Sequence, residues 1–285
     1  MKVARFEHAG SFRYGTVADD VITPLREDVS LSEILGLAAT APAELGELPT
    51  SGEELPVSDV RLVSLIERPG KILGIGLNYR DHAAETGREP PSVQTWFNKQ
   101  SSSINDPFGQ VWLPAVSDAL DYETELVVVI GRRGRHVPRD RAHEIIAGYM
   151  CGCDYSVRDW QRATPTMIMG KGFDTHAPVG PWLTTADEID NLAALRLRCL
   201  VNGEVRQDGL AGDMIFDISA QIEHLTKAFP LEPGDLLFTG TPAGVGVART
   251  PPAFLKDGDV VRVEIDGLGA IEQRIAKEQA ETAIG

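Results

Sequence analysis

The segment Glu125-Leu126-Val127-Val128-Val129-Ile130-Gly131 restricts this chain more than any other. A short apolar run rich in β-branched residues and stopped by glycine suits a strand entering a core, whereas an isolated helix of that length would be marginal. It is one of a series. KILGIGL, LRLRCLV, DLLFTG and VVRVEID are also of strand length and bounded by Gly, Pro, Asn or Asp. Asn202-Gly203, between LRLRCLV and EVRQDG, marks a hairpin, because both central residues of a type I′ turn need positive φ. Helical patterns are fewer, chiefly RDRAHEIIAGYM and DISAQIEHLTKAF. Strands dominate without repeated βαβ units, so the expected class is a strand-rich α+β fold.

Residues 1–65 read as a small N-terminal α+β domain and linker, and residues 66–285 as the catalytic domain. The first part carries short strands (KVARFEH, FRYGTVADDVITPL), a helix starting after the N-cap candidate Ser30, and the acidic, linker-like stretch APAELGELPTSGEELP. The whole chain is long enough to bury roughly three quarters of the surface that its unfolded form exposes. A net charge of −15 without a Lys/Arg run disfavours nucleic acid as a partner. Cys151, Cys153 and Cys199 are too few for a disulfide framework and suit a reducing compartment. The N-terminus MKVARFEHAGSFRYG reads as strand and turn, and no apolar run approaches ~18 residues. A soluble, cytoplasmic protein without a membrane partner is expected.

Three constellations carry chemistry. Glu123 and Glu125 stand two apart at the mouth of the apolar strand, so both project from one face. Like charges placed so repel unless a cation lies between them. The pair alone suits a solvated strand end equally well. Asp154 follows the small-residue strand GYMCGC; beside the glutamates it would complete a three-carboxylate site for a hard divalent cation, Mg²⁺ or Mn²⁺, with room for water and substrate. Cys151 and Cys153 lack partners at zinc spacing and read as core thiols. In GIGLNYRDHAAETG, a short helix would put His82 and Glu85 on adjacent turns of one face, the arrangement of an oriented general base, though also of an incidental surface pair. Lys171, between Gly170 and Gly172, can approach a ligand closely and hold an oxyanion. GTPAGVG lacks the GK[ST] of a P-loop, and His143-Glu144 does not extend to HExxH.

The order of GLNYRDHAAE, FNKQSSSI, DYETELVVVIG, GYMCGCDYSVRDWQ, KGFDTHAPVGPWL, LRCLVNGEVRQDG and DLLFTGTPAGVG resembles the successive signature segments of the fumarylacetoacetate hydrolase family, from about residue 70 to 275. The N-terminal unit resembles the small variable domain of many bacterial members. The resemblance implies a mixed β-sandwich roll for the catalytic domain and a homodimer. It places metal ligands at Glu123, Glu125 and Asp154, a catalytic His/Glu dyad at His82 and Glu85, and the active-site lysine at Lys171. Gln161, Thr241 and Tyr79 fall among its substrate contacts. One departure is Leu77, where some acylpyruvase-type relatives carry Arg, which leaves the substrate carboxylate to the metal and Thr241.

The expected activity is metal-dependent hydrolysis of a C–C bond in a small 2-oxo or 1,3-dicarbonyl acid through an enolate stabilised by the cation. His82 would activate water and Lys171 would hold the developing oxyanion. A 2-oxo acid decarboxylase or keto–enol isomerase would use the same centre. A binding module without turnover is the third reading, and it leaves a positioned base unexplained. The stretch Tyr79 to Ser92 is polar and carries Pro90-Pro91, so it is expected to be a lid that orders on ligand binding.

Overall fold

The computed structural model describes residues 1–282 and 284. It is a strand-rich α+β fold with mixed sheets. The larger sheet has twelve strands, and along its path run Leu55–Pro56, Val21–Pro24, Ser11–Ala18, Lys2–His8, Ala177–Thr185, Ile146–Cys153, Thr124–Ile130, Leu236–Phe238, Ile72–Gly76 and Thr95–Lys99. Neighbours on this path are antiparallel, except that Leu236–Phe238 and Ile72–Gly76 run parallel. A second sheet of five strands is ordered Glu204–Leu210, Arg196–Val201, Val260–Ile265, Gly269–Lys277 and Val111–Leu113.

The strand Thr124–Ile130 is buried along its entire length. Leu126, Val128 and Ile130 pack with Leu197, Val261 and Val263 of the five-stranded sheet. Val127 and Val129 face the other way, onto Ile34, Leu35 and Ala38 of the helix Leu31–Thr40. Each such side chain contributes about 1.5–3 kcal/mol by leaving water, which is why this strand lies in the middle of the molecule. Its two faces serve different partners, and Glu125 shares the face of Val127 and Val129. Thr124 and Leu126 lie opposite Cys153 and Cys151, so both thiols point into the core between the sheets, away from the glutamates. Burial pushes the Cys151 thiol up to about 12.

The hairpin at Asn202-Gly203 has positive φ at both residues, 52° and 80°. Ser30 caps the helix Leu31–Thr40 by accepting from the Glu33 amide, and Asp217 caps Ile218–Ala228 by accepting from the Ala220 amide. The segment RDRAHEIIAGYM departs from its helical expectation: Arg139–Ile145 is a 3-10 turn, and Ile146–Cys153 is a buried strand pairing with Thr124–Ile130 on one side and Ala177–Thr185 on the other. Two rows of interstrand hydrogen bonds outweigh the local helical pattern there.

The N-terminal strands extend the same sheet, since Lys2 and Val3 lie opposite Thr184 and Leu183. The acidic stretch that follows is packed chain, with Leu45 and Leu48 buried within a 3-10 turn and just after it.

Candidate active site

The glutamates sit where the central strand begins, and the backbone sets their neighbour. The Asp154 amide donates to the Glu123 carbonyl at 2.8 Å, and Glu125 lies opposite Gly152. Asp154, two residues beyond Gly152, therefore projects from the same face as the pair. Glu123, Glu125 and Asp154 are buried, and each offers a carboxylate oxygen within 4.8 Å of the others.

Three buried cations accompany this charge. Lys171 Nζ donates to Glu123 Oε2 and Asp154 Oδ2, both at 2.6 Å. Lys99 Nζ donates to Asp154 Oδ1 at 2.5 Å. Arg158 donates to Glu123 Oε1 at 2.7 Å and to Asp121 Oδ2 at 2.8 Å. Burial alone would raise Glu123, but the charges of Lys171 and Arg158 outweigh it and hold the carboxyl well below the usual range. Glu125 has no such cation: burial, then the charges of Asp154 and Glu123, push it well above the usual value. One of its oxygens accepts from the Gly240 amide at 2.7 Å. Burial lowers Lys99 despite its bond to Asp154, whereas for Lys171 the charges of Asp154 and Glu123 overcome burial and raise it.

Close backbone approach delivers these groups. Lys171 ends the short helix Ile168–Lys171, which packs on the helix Arg158–Ala163 at Gly170; a Cβ there would lie 2.2 Å from the Gln161 nitrogen. Gly240 has φ +98°, and a Cβ would lie 2.7 Å from that of Asn78. Asn78 pins the turn by donating to Thr239 O at 2.7 Å.

His82 and Glu85 occupy the helix Arg80–Glu85, and His82 Nδ1 is 2.7 Å from Glu85 Oε1. The carboxylate can only accept, so Nδ1 donates, and in the neutral imidazole the free lone pair is then on Nε2. The second Glu85 oxygen accepts from the Gly244 amide at 2.8 Å, and Asp81 Oδ2 accepts from the Ala243 amide at 3.2 Å.

A cavity of about 540 Å³ joins these groups: Glu123, Glu125, Lys171, His82, Gln161 and Thr241 all line it. Thr241 Oγ1 accepts from Gln207 at 2.7 Å, and Gln161 accepts from Arg158 at 3.1 Å. Tyr79, also expected among the substrate contacts, is fully buried and does not line the cavity, and its backbone bridges to Met214. Leu77 does line the wall, in a left-handed conformation with φ 55°.

Lys99, Asp121, Arg158 and Gln207 had no assigned role in the sequence reading. For Lys99 a signal existed, since it shares a strand face with the apolar Phe97 in Thr95–Lys99. Asp121 is a hub that accepts from the Gly246 and Val247 amides at 2.8 and 2.9 Å besides Arg158.

Comparison with known proteins adds an independent line. The family profile described as Fumarylacetoacetate (FAA) hydrolase C-terminal matches residues 71–276, and the one described as Rv2993c-like, N-terminal matches residues 1–64. Oxaloacetate tautomerase FAHD2A, mitochondrial, of Homo sapiens is 41% identical over 223 residues, covering 78% of this chain and 71% of that protein. Among solved structures, 5-carboxymethyl-2-hydroxymuconate delta-isomerase from Mycobacterium smegmatis aligns with TM-score 0.81 and 31% identity, covering 98% of this chain and 100% of that one. Maleylpyruvate hydrolase from Sphingobium sp. SYK-6, in complex with manganese(II) ion and pyruvate, aligns with TM-score 0.80 and 30% identity, covering 98% of this chain and 100% of that one.

Proposed function

The chain belongs to the fumarylacetoacetate hydrolase family, and from that premise we propose that it is a divalent-metal-dependent hydrolase of a small 2-oxo or 1,3-dicarbonyl acid of acylpyruvate type. The observation carrying this reading is His82, oriented by Glu85, which lines the same cavity as Glu123 and Glu125 of the three-carboxylate cluster. The donor set is all oxygen, with no thiolate or imidazole, and fits Mg²⁺ or Mn²⁺. Held by Glu123, Glu125 and Asp154, such an ion would act as a Lewis acid toward the substrate's oxygen atoms.

The chain's own groups do the rest. His82, with Nδ1 held by Glu85, takes a proton from water at Nε2, and the hydroxide formed attacks the distal carbonyl. The Lys171 ammonium, fixed beside the carboxylates, offsets the charge that develops on the substrate's oxygen. Arg158 keeps Glu123 ionised and in place, and Gln161 and Thr241 offer polar contacts along the wall. After the C–C bond breaks, a proton returned to the departing carbon completes the reaction.

The tautomerase named among the relatives favours a second reading, in which His82 moves a proton on the substrate carbon and no bond between carbons breaks. One assay separates the two. The protein supplied with Mg²⁺ or Mn²⁺ is given an acylpyruvate, a 2,4-dioxo sugar acid and oxaloacetate, while enol absorbance and pyruvate release are followed. Hydrolysis releases pyruvate from the acylpyruvate and falls by about 10²–10⁴ in His82→Ala, the usual share of general-base catalysis. Loss of enol absorbance with no cleavage product would assign the tautomerase, and carbon dioxide with pyruvate from oxaloacetate alone would assign a decarboxylase. A soluble small-molecule enzyme acting in the cytoplasm as a homodimer completes the proposal.

A further inference from the structure

A second cavity, of about 530 Å³, is walled in part by Tyr122, the residue before the carboxylate Glu123. Three cations line it, Arg206, Arg249 and Lys256. Among the described residues its one acid is Asp259, whose two oxygens already accept from Asn202 Nδ2 and the Lys256 amide at 2.9 and 2.8 Å. This excess of positive charge stands on a chain of net charge −15. Burial sets two of the cations apart from most arginines. Among the described residues, buried guanidinium nitrogens without an acceptor occur at Arg158, Arg198, Arg206 and Arg249, and of these Arg206 and Arg249 line this one cavity, each with its Nε orphaned. A buried donor costs stability until an acceptor reaches it. The contacts present leave both Nε atoms unmet: Arg206 Nη2 meets the exposed Glu204 at 2.9 Å, and Arg249 Nη2 reaches the Arg206 carbonyl at 3.5 Å.

We propose that this cavity binds a phosphate monoester, with Arg206, Arg249 and Lys256 around the phosphate and the organic group against Pro252, Phe254 and Leu255. The site is separate from the reaction proposed above and does not depend on it. Its cations come from three segments: the strand Glu204–Leu210, the end of the 3-10 turn Gly246–Ala248, and the loop before the strand Val260–Ile265. Three cations suit the three free oxygens of a phosphate better than the two of a carboxylate, and guanidinium forks grip phosphate through paired bonds. The volume lies in the range of small-molecule sites and exceeds what an inorganic ion fills, so an organic group belongs to the ligand. The cavity also borders the catalytic groups. The Tyr122 hydroxyl donates to the Gly244 carbonyl at 3.1 Å, and the Gly244 amide holds Glu85. Val247 lines the first cavity, and Arg249, two residues on, lines the second. Occupancy therefore tightens the segment 244–249.

Calorimetry on the full chain compares phenyl phosphate with phthalate, benzoate and inorganic phosphate. Phenyl phosphate should bind at least about tenfold more tightly than each of the other three. Arg206→Met and Arg249→Met should each weaken it by about tenfold, and the double variant should abolish it. Arg249→Lys keeps the charge, loses the fork, and should weaken it less. Arg162→Met, in the first cavity, should leave the affinity unchanged, as should Mg²⁺. Thermal melts separate binding from folding: the methionine variants should keep the native Tm without ligand, since each loses an unsatisfied donor, and lack the rise that phenyl phosphate gives the native chain. Hydrogen exchange should show added protection over 244–249 in the native chain alone. No binding of phenyl phosphate, or binding that survives in the double variant, overturns the site. Equal loss in Arg162→Met would place the binding in the first cavity and overturn it too. Phthalate bound as tightly overturns phosphate as the ligand. A Tm lowered in both single variants, with no response of the native chain to phenyl phosphate, makes the arginines structural and overturns the proposal.

Discussion

Glu125 differs from its two partner carboxylates in having no cation bonded to it, only the Gly240 amide. Replacing it with Gln keeps an oxygen for that amide and removes a charge that burial and its neighbours disfavour. Glu125→Gln should therefore raise the Tm of metal-free protein at neutral pH and abolish the further rise on adding Mg²⁺ or Mn²⁺, both read in one thermal melt. Glu123→Gln should instead lower the metal-free Tm, because it breaks bonds to Lys171 and Arg158, and unpairing a buried ion pair costs about 3–5 kcal/mol. Cys153→Ala should keep the metal response, since that thiol faces the other side of the sheet. His176 supplies a pH dependence. It is buried, donates from Nε2 to the Trp112 carbonyl at 2.8 Å, and burial holds it down to about 3. A depressed histidine contributes stability that is complete above its unfolded value of 6.5 and is lost as pH falls toward 3. Acid titration of stability should steepen over that range by up to about 1.4 kcal/mol per pH unit, and His176→Gln should flatten it. The carboxylates were legible because strand alternation is a property of sequence. Lys99 as the partner of Asp154, 55 positions away, was not, because only the folded sheet brings them together.

At the level of elements, the expected lid divides in two. Tyr79, His82 and Ala83 are buried, and Asp81 and Glu85 tie their helix to Ala243 and Gly244. Residues 87–90 and 92–93 are exposed. Hydrogen exchange with and without a substrate analogue should show added protection concentrated in 86–93 and in the cavity-lining loop at Thr164, with little change in 79–85. A change of equal size across 79–85 would contradict it. The polar composition of the stretch gave no hint of this division, because the anchors are backbone amides in a turn far along the chain. The segment RDRAHEIIAGYM departs from its helical pattern for a related reason: Ala142 and Ile145 mimic a helical period, and strand pairing on both sides, invisible locally, sets the outcome.

For the whole molecule, continuity of the large sheet matters more than the boundary near residue 65. Val3 and Phe6 are buried, and the strand Lys2–His8 covers the edge of Ala177–Thr185. Residues 66–285 expressed alone should expose that edge and aggregate, and a soluble fragment with near-native Tm would show the first strands to be dispensable. Exhaustive chelation should abolish turnover of the intact protein and Mg²⁺ or Mn²⁺ should restore it. No helix among the described residues is long and apolar enough to cross a membrane.

The turn Gly240–Gly244 holds Glu125 through the amide at one end and Glu85 through the amide at the other. Base and carboxylates thus share a common mounting, set by residues other than the exposed rim at 87–90 and 92–93. That rim can lengthen, shorten or change charge without detuning the reactive distance, so a lineage of such proteins is free to exchange one substrate tail for another while its chemistry stays fixed.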